Sequence, residues 1–386
     1  MPRRDRTISA VRRLDRIDGL LRPLRRTPPP RAAVAPREVL LWTVDRIGDV
    51  VRATAALDAV RGSFPHARIT AVVADRALAV LQHDPRVDRI VRIARPHDLW
   101  SHRAAIGRLR RDRFDLGLLL EVEETWAKLG QLWFRRLGVE RWAAFEHGLA
   151  PHPREARVPI RREAGWDALF VDLARAVGAT GGSGRPRIAV SDRARAGARD
   201  ALARLGIAPG EGFLLCHPGT SALAVERSWP PERFGRVIAR LHRATGLRTA
   251  ITGVAAEAPL ARACIDAAGA AAPLDATGRL SLEELIAAIE AAALLLVNDT
   301  GPLHLANAVG TPAVAVLGPT APGVLGLDPS LIRTVQSSLP CQPCVWHGAP
   351  RPCPQPDRYA CLRAVTEDRV AASALAALRP SRREAG

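Results

Sequence analysis

The chain has 386 residues, of which 47% are hydrophobic and 4% aromatic, and it carries a formal charge of +17. At roughly 100–200 residues per domain, that length calls for two or three domains, and the apolar content excludes a disordered chain. The charge invites a nucleic-acid reading, but the basic residues are a single lysine, Lys128, and 55 arginines dispersed along the sequence, with few aromatics to stack on bases. No specific nucleic acid is expected as a partner, and a basic nucleic-acid-binding protein stands only as a minor alternative.

In chain order, residues 1–37 read as a basic, proline-containing leader. Val11, Leu14, Ile17, Leu20, Leu21 and Leu24 fall at near-helical spacing between arginines, which fits either a solvated arm or a surface helix on anionic phospholipid. Pro28-Pro29-Pro30 closes it. Glu38–Val44 reads as the first buried strand, Asp45-Arg46-Ile47-Gly48-Asp49 as a turn, and Val50–Arg61 as a helix. Further strands are expected at Arg68–Val73, Arg89–Ile93 and Asp115–Leu120. Strands alternating with helices in this way imply an α/β fold with parallel sheets covered on both faces. By composition Gly178–Pro186 is the best linker in the chain.

Beyond it a second strand series begins at Gly212–Cys216, followed by the small-residue loop His217-Pro218-Gly219-Thr220-Ser221. A helix is expected over Glu232–Thr245, a strand at Arg248–Thr252 and a helix from about Ala256 to Ala268. Ser281, with Glu284 three residues on, marks a capping box. The expected domains are thus residues 38–180 and 186–340, with the leader before them and a cysteine-containing tail with a final helix, residues 341–386, after them.

Several residues stand where chemistry could be done. Asp49 follows a strand end and a glycine; it fits a cap on the next helix or a base that takes a proton from a hydroxyl. The loop carrying Thr220 suits close backbone approach to an anion. Arg227 has the planar fork that matches a diphosphate. Glu257 lies just past a strand-ending glycine, where such folds grip ribose hydroxyls. The richest stretch is Val297–Gly318. There Asp299-Thr300-Gly301 breaks an apolar run, Thr300 reads as an N-cap, Pro302 opens a short helix, and His304 lies one turn in. Helix-terminal amides beyond a strand end hold phosphate, and this set adds a carboxylate for sugar hydroxyls and an imidazole donor.

Six cysteines in a chain whose first residues mix arginines with Asp5, Asp15 and Asp18 point to reduced thiols and a cytoplasmic protein without a signal peptide. The apolar window Leu282–Val297 is too short and too acidic for a membrane span. Cys341, Cys344, Cys353 and Cys361 have a cadence compatible with structural zinc or with packed thiols. No Ser-His-Asp signature, Walker loop or GxGxxG motif is evident.

In order along the chain, VLLWTVDRIGDVVRATAALDAV, HPGTSALAVERSWPPERF, ITGVAAEAPLARA and VNDTGPLHLANAVGTPAVAVLGPTAP, followed by the CQPC tail, resemble glycosyltransferase family 9, the ADP-heptose:lipopolysaccharide heptosyltransferases and their relatives. The resemblance runs from about residue 38 to 365. It implies a GT-B architecture, two Rossmann-like domains facing a cleft, with the nucleotide-sugar donor on the second. It also implies inverting, metal-independent transfer to a cell-envelope glycan. By position, Asp49 matches the proposed general base and Glu257 the grip on the donor nucleoside. Asp299, Thr300, Gly301 and His304 match the contacts to donor sugar and diphosphate. Arg227 falls where relatives usually have a lysine. The sequence departs from the family at Glu121-Val122-Glu123-Glu124-Thr125-Trp126, where relatives show a polar, glycine-containing loop. Three carboxylates facing outward there would repel a phosphorylated acceptor. The alternative on the same fold is a nucleotide-sugar epimerase or hydrolase.

Overall fold

The computed structural model describes residues 35–378 apart from 97, 147–148, 150, 221–224 and 348–351. The basic leader up to residue 34, with its apolar-spaced segment, and Ser221 lie outside the described residues. The chain divides into two compact units between Ala189 and Val190.

In the first unit the elements run β1 (Glu38–Thr43), α1 (Ile47–Ser63), β2 (Arg68–Ala74), β3 (Arg89–Ile93), α2 (Leu99–Leu109), β4 (Leu116–Leu119), α3 (Glu124–Leu137), β5 (Arg141–Phe145), β6 (Glu155–Val158) and α4 (Trp166–Ala176). The strands pair in the order β3-β2-β1-β4-β5-β6, every pair parallel. Strands covered on both faces should be apolar throughout, and β1 reads EVLLWT with all but its first residue buried. Trp42 from β1 and Trp142 from β5 pack edge-on to Phe134 of α3, with centroids 6.3 and 5.4 Å away.

The second unit follows with α5 (Asp192–Leu205), β7 (Phe213–His217), α6 (Pro231–Thr245), β8 (Arg248–Ile251), α7 (Ala258–Ala268), β9 (Leu274–Asp275), α8 (Leu282–Ala291), β10 (Leu294–Asn298), α9 (Gly301–Val309), β11 (Ala313–Val316), β12 (Ile332–Val335), α10 (Ala360–Arg363) and α11 (Glu367–Leu378). Its sheet runs β12-β11-β10-β7-β8-β9, again all parallel. Ser281 accepts from the Glu284 amide and Glu284 from the Ser281 amide, so the capping box forms as its spacing indicates. Each unit has the doubly wound Rossmann order. Its chain reverses direction across the sheet at a switch point, between β1 and β4 in one unit and between β7 and β10 in the other, and such folds bind ligands there.

Two segments differ from their sequence reading. The glycine-rich stretch after α4 is packed, not loose. Gly181 takes its amide to Ser63 Oγ at 2.6 Å, and Ser183 donates both its amide and its hydroxyl to Asp58 Oδ2. A Cβ at Gly181 would lie 2.6 Å from the Gly62 carbonyl carbon, so glycine is needed here for close approach to α1. Burial alone would raise the Asp58 carboxyl, but hydrogen bonds from Arg187 and Ser183 outweigh it and bring it down to about 2. The segment from Cys341 onward also belongs to the second unit. Val370, Ala371 and Ala374 of α11 join the same apolar core as Trp229, Phe234 and Val314.

Candidate functional site

The switch point of the second unit gathers most of the residues singled out above. β10 ends in Asn298, and Asp299 follows it, 3% exposed. Arg227, on a single 3-10 turn, places Nη1 3.3 Å from Asp299 Oδ2, and the Thr320 hydroxyl donates to the same oxygen at 2.6 Å. Thr300 holds the N-cap position of α9 in an extended conformation, but its hydroxyl makes no capping bond. Gly301 is the first helical residue and Pro302, lacking an N–H, the second, while the Leu303 amide turns back to the Thr300 carbonyl at 3.1 Å. The amides of Thr300 and Gly301 thus head the helix at its positive end. His304, one turn in, is 5% exposed.

Asn298, which the sequence analysis passed over, organises this end of the sheet. Fully buried, it accepts the Trp229 amide at 3.1 Å and donates to the Pro218 carbonyl at 2.8 Å. One side chain therefore ties together β10, the loop after β7 and the segment carrying Arg227. A polar residue closing an apolar strand was the only signal in the sequence. Thr320 was missed as well, being distant in sequence and placed only by the parallel pairing of β11 beside β10.

Glu257 ends a 3-10 turn after β8 and holds the N-cap position of α7. Its Oε2 accepts the Val254 amide at 2.8 Å, and burial raises its carboxyl against that bond. A Cβ on Gly219 would meet Glu257 Oε1 at 2.1 Å, so glycine lets the loop after β7 close onto this carboxylate. Thr220 ends the described part of that loop, partly exposed. His217, buried beside the Thr252 hydroxyl at 3.2 Å, is held neutral, since burial pushes it down to about 4.

The four tail cysteines border a cavity of about 260 Å³, together with Glu226, Gln355 and Tyr359. All are free thiols. Among the described residues no three His, Cys, Asp or Glu side chains are grouped to hold a metal, so these thiols do not present the tetrahedral set that zinc requires. Their backbone acts as a prop instead. Cys344 and Val345 donate their amides to the Pro319 carbonyl, both at 2.9 Å, and so brace the loop that carries Thr320.

In the first unit, Arg46 and not Asp49 holds the N-cap position of α1, which removes the capping role from Asp49. Asp49 lies in the first turn, 9% exposed and paired with Arg52. The acidic stretch after β4 is only partly outward-facing. Glu121 is 1% exposed and accepts the Val44 amide, Glu123 caps α3 by accepting the Thr125 amide, and Glu124 pairs with Lys128 one turn on at 3.1 Å. Of the three expected outward carboxylates only Glu124 is exposed, and Lys128 beside it offsets its charge.

Two doubly wound parallel sheets, the second with a basic side chain and helix amides at its switch point, define a glycosyltransferase of GT-B fold. The chain belongs to glycosyltransferase family 9 (heptosyltransferase), whose model matches residues 104–353. A family 9 glycosyltransferase from Veillonella parvula is 19% identical, with a TM-score of 0.74 over 89% of this chain and 98% of its own. The E. coli ADP-heptose lipopolysaccharide heptosyltransferase II is 17% identical, with a TM-score of 0.69 over 88% and 98%. An E. coli heptosyltransferase solved with ADP is 18% identical, with a TM-score of 0.61 over 86% and 94%. At these identities the likeness establishes the fold. No curated protein matches the chain in sequence. Among the described residues no helix is long and apolar enough to cross a membrane.

Proposed function

We propose that the protein transfers a heptose from ADP-heptose, or a closely related nucleotide-sugar, to a cell-envelope glycan such as a lipopolysaccharide core, with inversion and without a catalytic metal. The observation that supports this most is the Arg227–Asp299–Thr320 cluster at the head of α9. It combines a cation and helix amides for a diphosphate with a buried carboxylate for sugar hydroxyls. In this reading the second unit is the donor domain. Arg227 and the amides of Thr300 and Gly301 stabilise the departing diphosphate, Glu257 holds the nucleoside beside Thr220, and Asp299 and His304 orient the sugar.

The first unit serves the acceptor. Asp49 takes the proton of the acceptor hydroxyl as its oxygen bonds to the anomeric carbon, while the bond from that carbon to the diphosphate oxygen breaks. Charge that develops on the leaving group meets donors already in place, which is how such a site dispenses with a metal. The basic leader would hold the enzyme at an anionic membrane face where a glycolipid acceptor lies. The test is a calorimetric panel of ADP-, GDP- and UDP-sugars, followed by an acceptor screen with the tightest donor. Release of free nucleotide at the same rate with and without acceptor would replace this reading with hydrolysis, and a rearranged nucleotide sugar with epimerisation.

A further inference from the structure

The switch point of the first unit carries more acid than a single base requires. Besides Asp49, Asp45 and Glu121 are buried there, 7% and 1% exposed. Glu121 reaches from the end of β4 to the end of β1, where its Oε1 accepts the Val44 amide at 2.6 Å. Its Oε2 is buried without a hydrogen-bond partner. Asp45 is the next residue along, and its Oδ1 accepts the Arg46 amide at 2.8 Å.

The cations nearby are committed elsewhere. Arg52 pairs with Asp49, and Arg76 points its guanidinium at the backbone carbonyls of Asp45 and Val44, 3.1 and 3.5 Å away. Among the described residues no ion pair joins Asp45 or Glu121, and no metal-holding group includes them. Two buried carboxyl groups brought to the ends of neighbouring strands, neither of them in an ion pair, cannot both stay ionised without cost.

We propose that Asp45 and Glu121 hold one proton between them in the folded state, carried on Glu121, so that the Glu121–Val44 tie from the end of β4 to the Val44–Asp49 turn persists and positions Asp49. A proton on Glu121 Oε2 turns the orphaned atom into a donor. The charges facing the pair agree with this. Burial, and then the Asp45 charge, pushes Glu121 well above the usual carboxylate range, with the Val44 amide and Arg76 opposing. Burial, and then the Asp49 charge, lifts Asp45 to about 7, against the Arg46 amide and the Arg46 and Arg76 charges. The pair is stated independently of the transfer reading; only its effect on rate rests on Asp49 being the base.

A carboxyl raised in the folded state holds a proton that the unfolded chain has already lost. Stability therefore falls as pH rises from the unfolded carboxyl value of about 4 through the folded value near 7. The experiment compares thermal midpoints of the full chain from pH 4.5 to 8.5 for the parent, Asp45→Asn, Glu121→Gln and the double variant. Either amide keeps the shape and removes the second charge. The expected result is a midpoint gain over the parent that grows by about 3 °C or more toward high pH, with the double variant adding little to either single one. Curves that run parallel to the parent at all pH values would overturn the proposal. Infrared difference spectra at neutral pH supply a second readout. A protonated-carboxyl band present in the parent and absent in Glu121→Gln is expected, and its absence from the parent would also refute the shared proton. Neither readout depends on activity, so a failure of the Asp49 reading, seen as Asp49→Asn retaining full transfer, is distinguishable from a failure of the pair.

Discussion

The two switch points are built on the same sheet order and provided with different charged groups. In the first unit, Asp45, Asp49 and Glu121 crowd the strand ends, and among the described residues Arg52 is the only cation paired to any of them. In the second, the buried acid Asp299 is met by a guanidinium and a hydroxyl, the same guanidinium lies 4.0 Å from the buried Glu226, and the neutral amide of Asn298 frames the strand end. A cluster of acids favours taking up protons; a cation beside helix amides favours holding an anion. One fold used twice thus carries two different sets of charged groups, and what separates them is a handful of residues just past the strands.

The strongest way to break this contrast is at Asp49. Asp49→Asn should lower transfer roughly 100- to 10,000-fold, as expected for loss of a general base, while ADP affinity stays within about twofold of the parent. Initial rates and calorimetry read the two effects separately, and a parallel loss of nucleotide binding would show a structural role instead.

Next in size is Arg227→Ala, which removes the cation and leaves Asp299 buried with only Thr320. Donor affinity should fall about tenfold or more, and stability should drop by about 3 kcal/mol for the unpaired acid, measured by denaturant titration. If Arg227 serves only to neutralise Asp299, the double substitution with Asp299→Asn would restore donor affinity.

Asn298→Ala comes third, costing about 2–3 kcal/mol because the Trp229 amide and the Pro218 carbonyl lose their partner inside the core. Asp58→Asn in the first unit should cost about 1–3 kcal/mol at neutral pH. Asp58 titrates low, so the stability it provides is complete above the unfolded carboxyl value near 4 and is lost as pH falls toward 2, the reverse of the Asp45–Glu121 pair. Unfolding midpoints at pH 3 and pH 7 would show the parent and this variant converging in acid. The smallest effect is expected at Gly219→Ala. The added methyl meets the Glu257 carboxylate and displaces it from the Val254 amide, so stability should fall by about 1 kcal/mol while nucleotide affinity weakens severalfold.

The sequence reading worked best where chemistry coincides with a break in pattern. Asp299-Thr300-Gly301 interrupts an apolar run, so the position of the α9 N-terminus could be read directly, as could the capping box at Ser281. It failed where composition was taken for environment. Glycines at 178–184 looked like a flexible tether because glycine is permissive in isolation; here their missing side chains permit contact with Asp58 and Gly62. Glu121, Glu123 and Glu124 looked like one charged face, yet Glu121 turns inward to the end of β1 while Glu123 and Glu124 belong to the head of α3, and burial of a single glutamate leaves no periodic signature. Asn298 and Thr320 escaped because their roles arise from neighbouring strands, which local sequence does not encode.

The packing of α11 against the second sheet also bears on how the chain matures. Trp229, whose backbone amide is fixed by Asn298, sends its indole N–H to the Val365 carbonyl at 3.2 Å, and Arg233 reaches the carbonyls of Arg363 and Val365 at 2.7 and 2.8 Å. During translation the first unit can finish folding while the second is still being made. The second must wait until residues beyond 370 have left the ribosome before the wall behind Arg227 and Asp299 is closed. The complete second core should therefore appear late and abruptly in synthesis, and a ribosome stalled before α11 emerges would display a folded first unit joined to an unfinished second one.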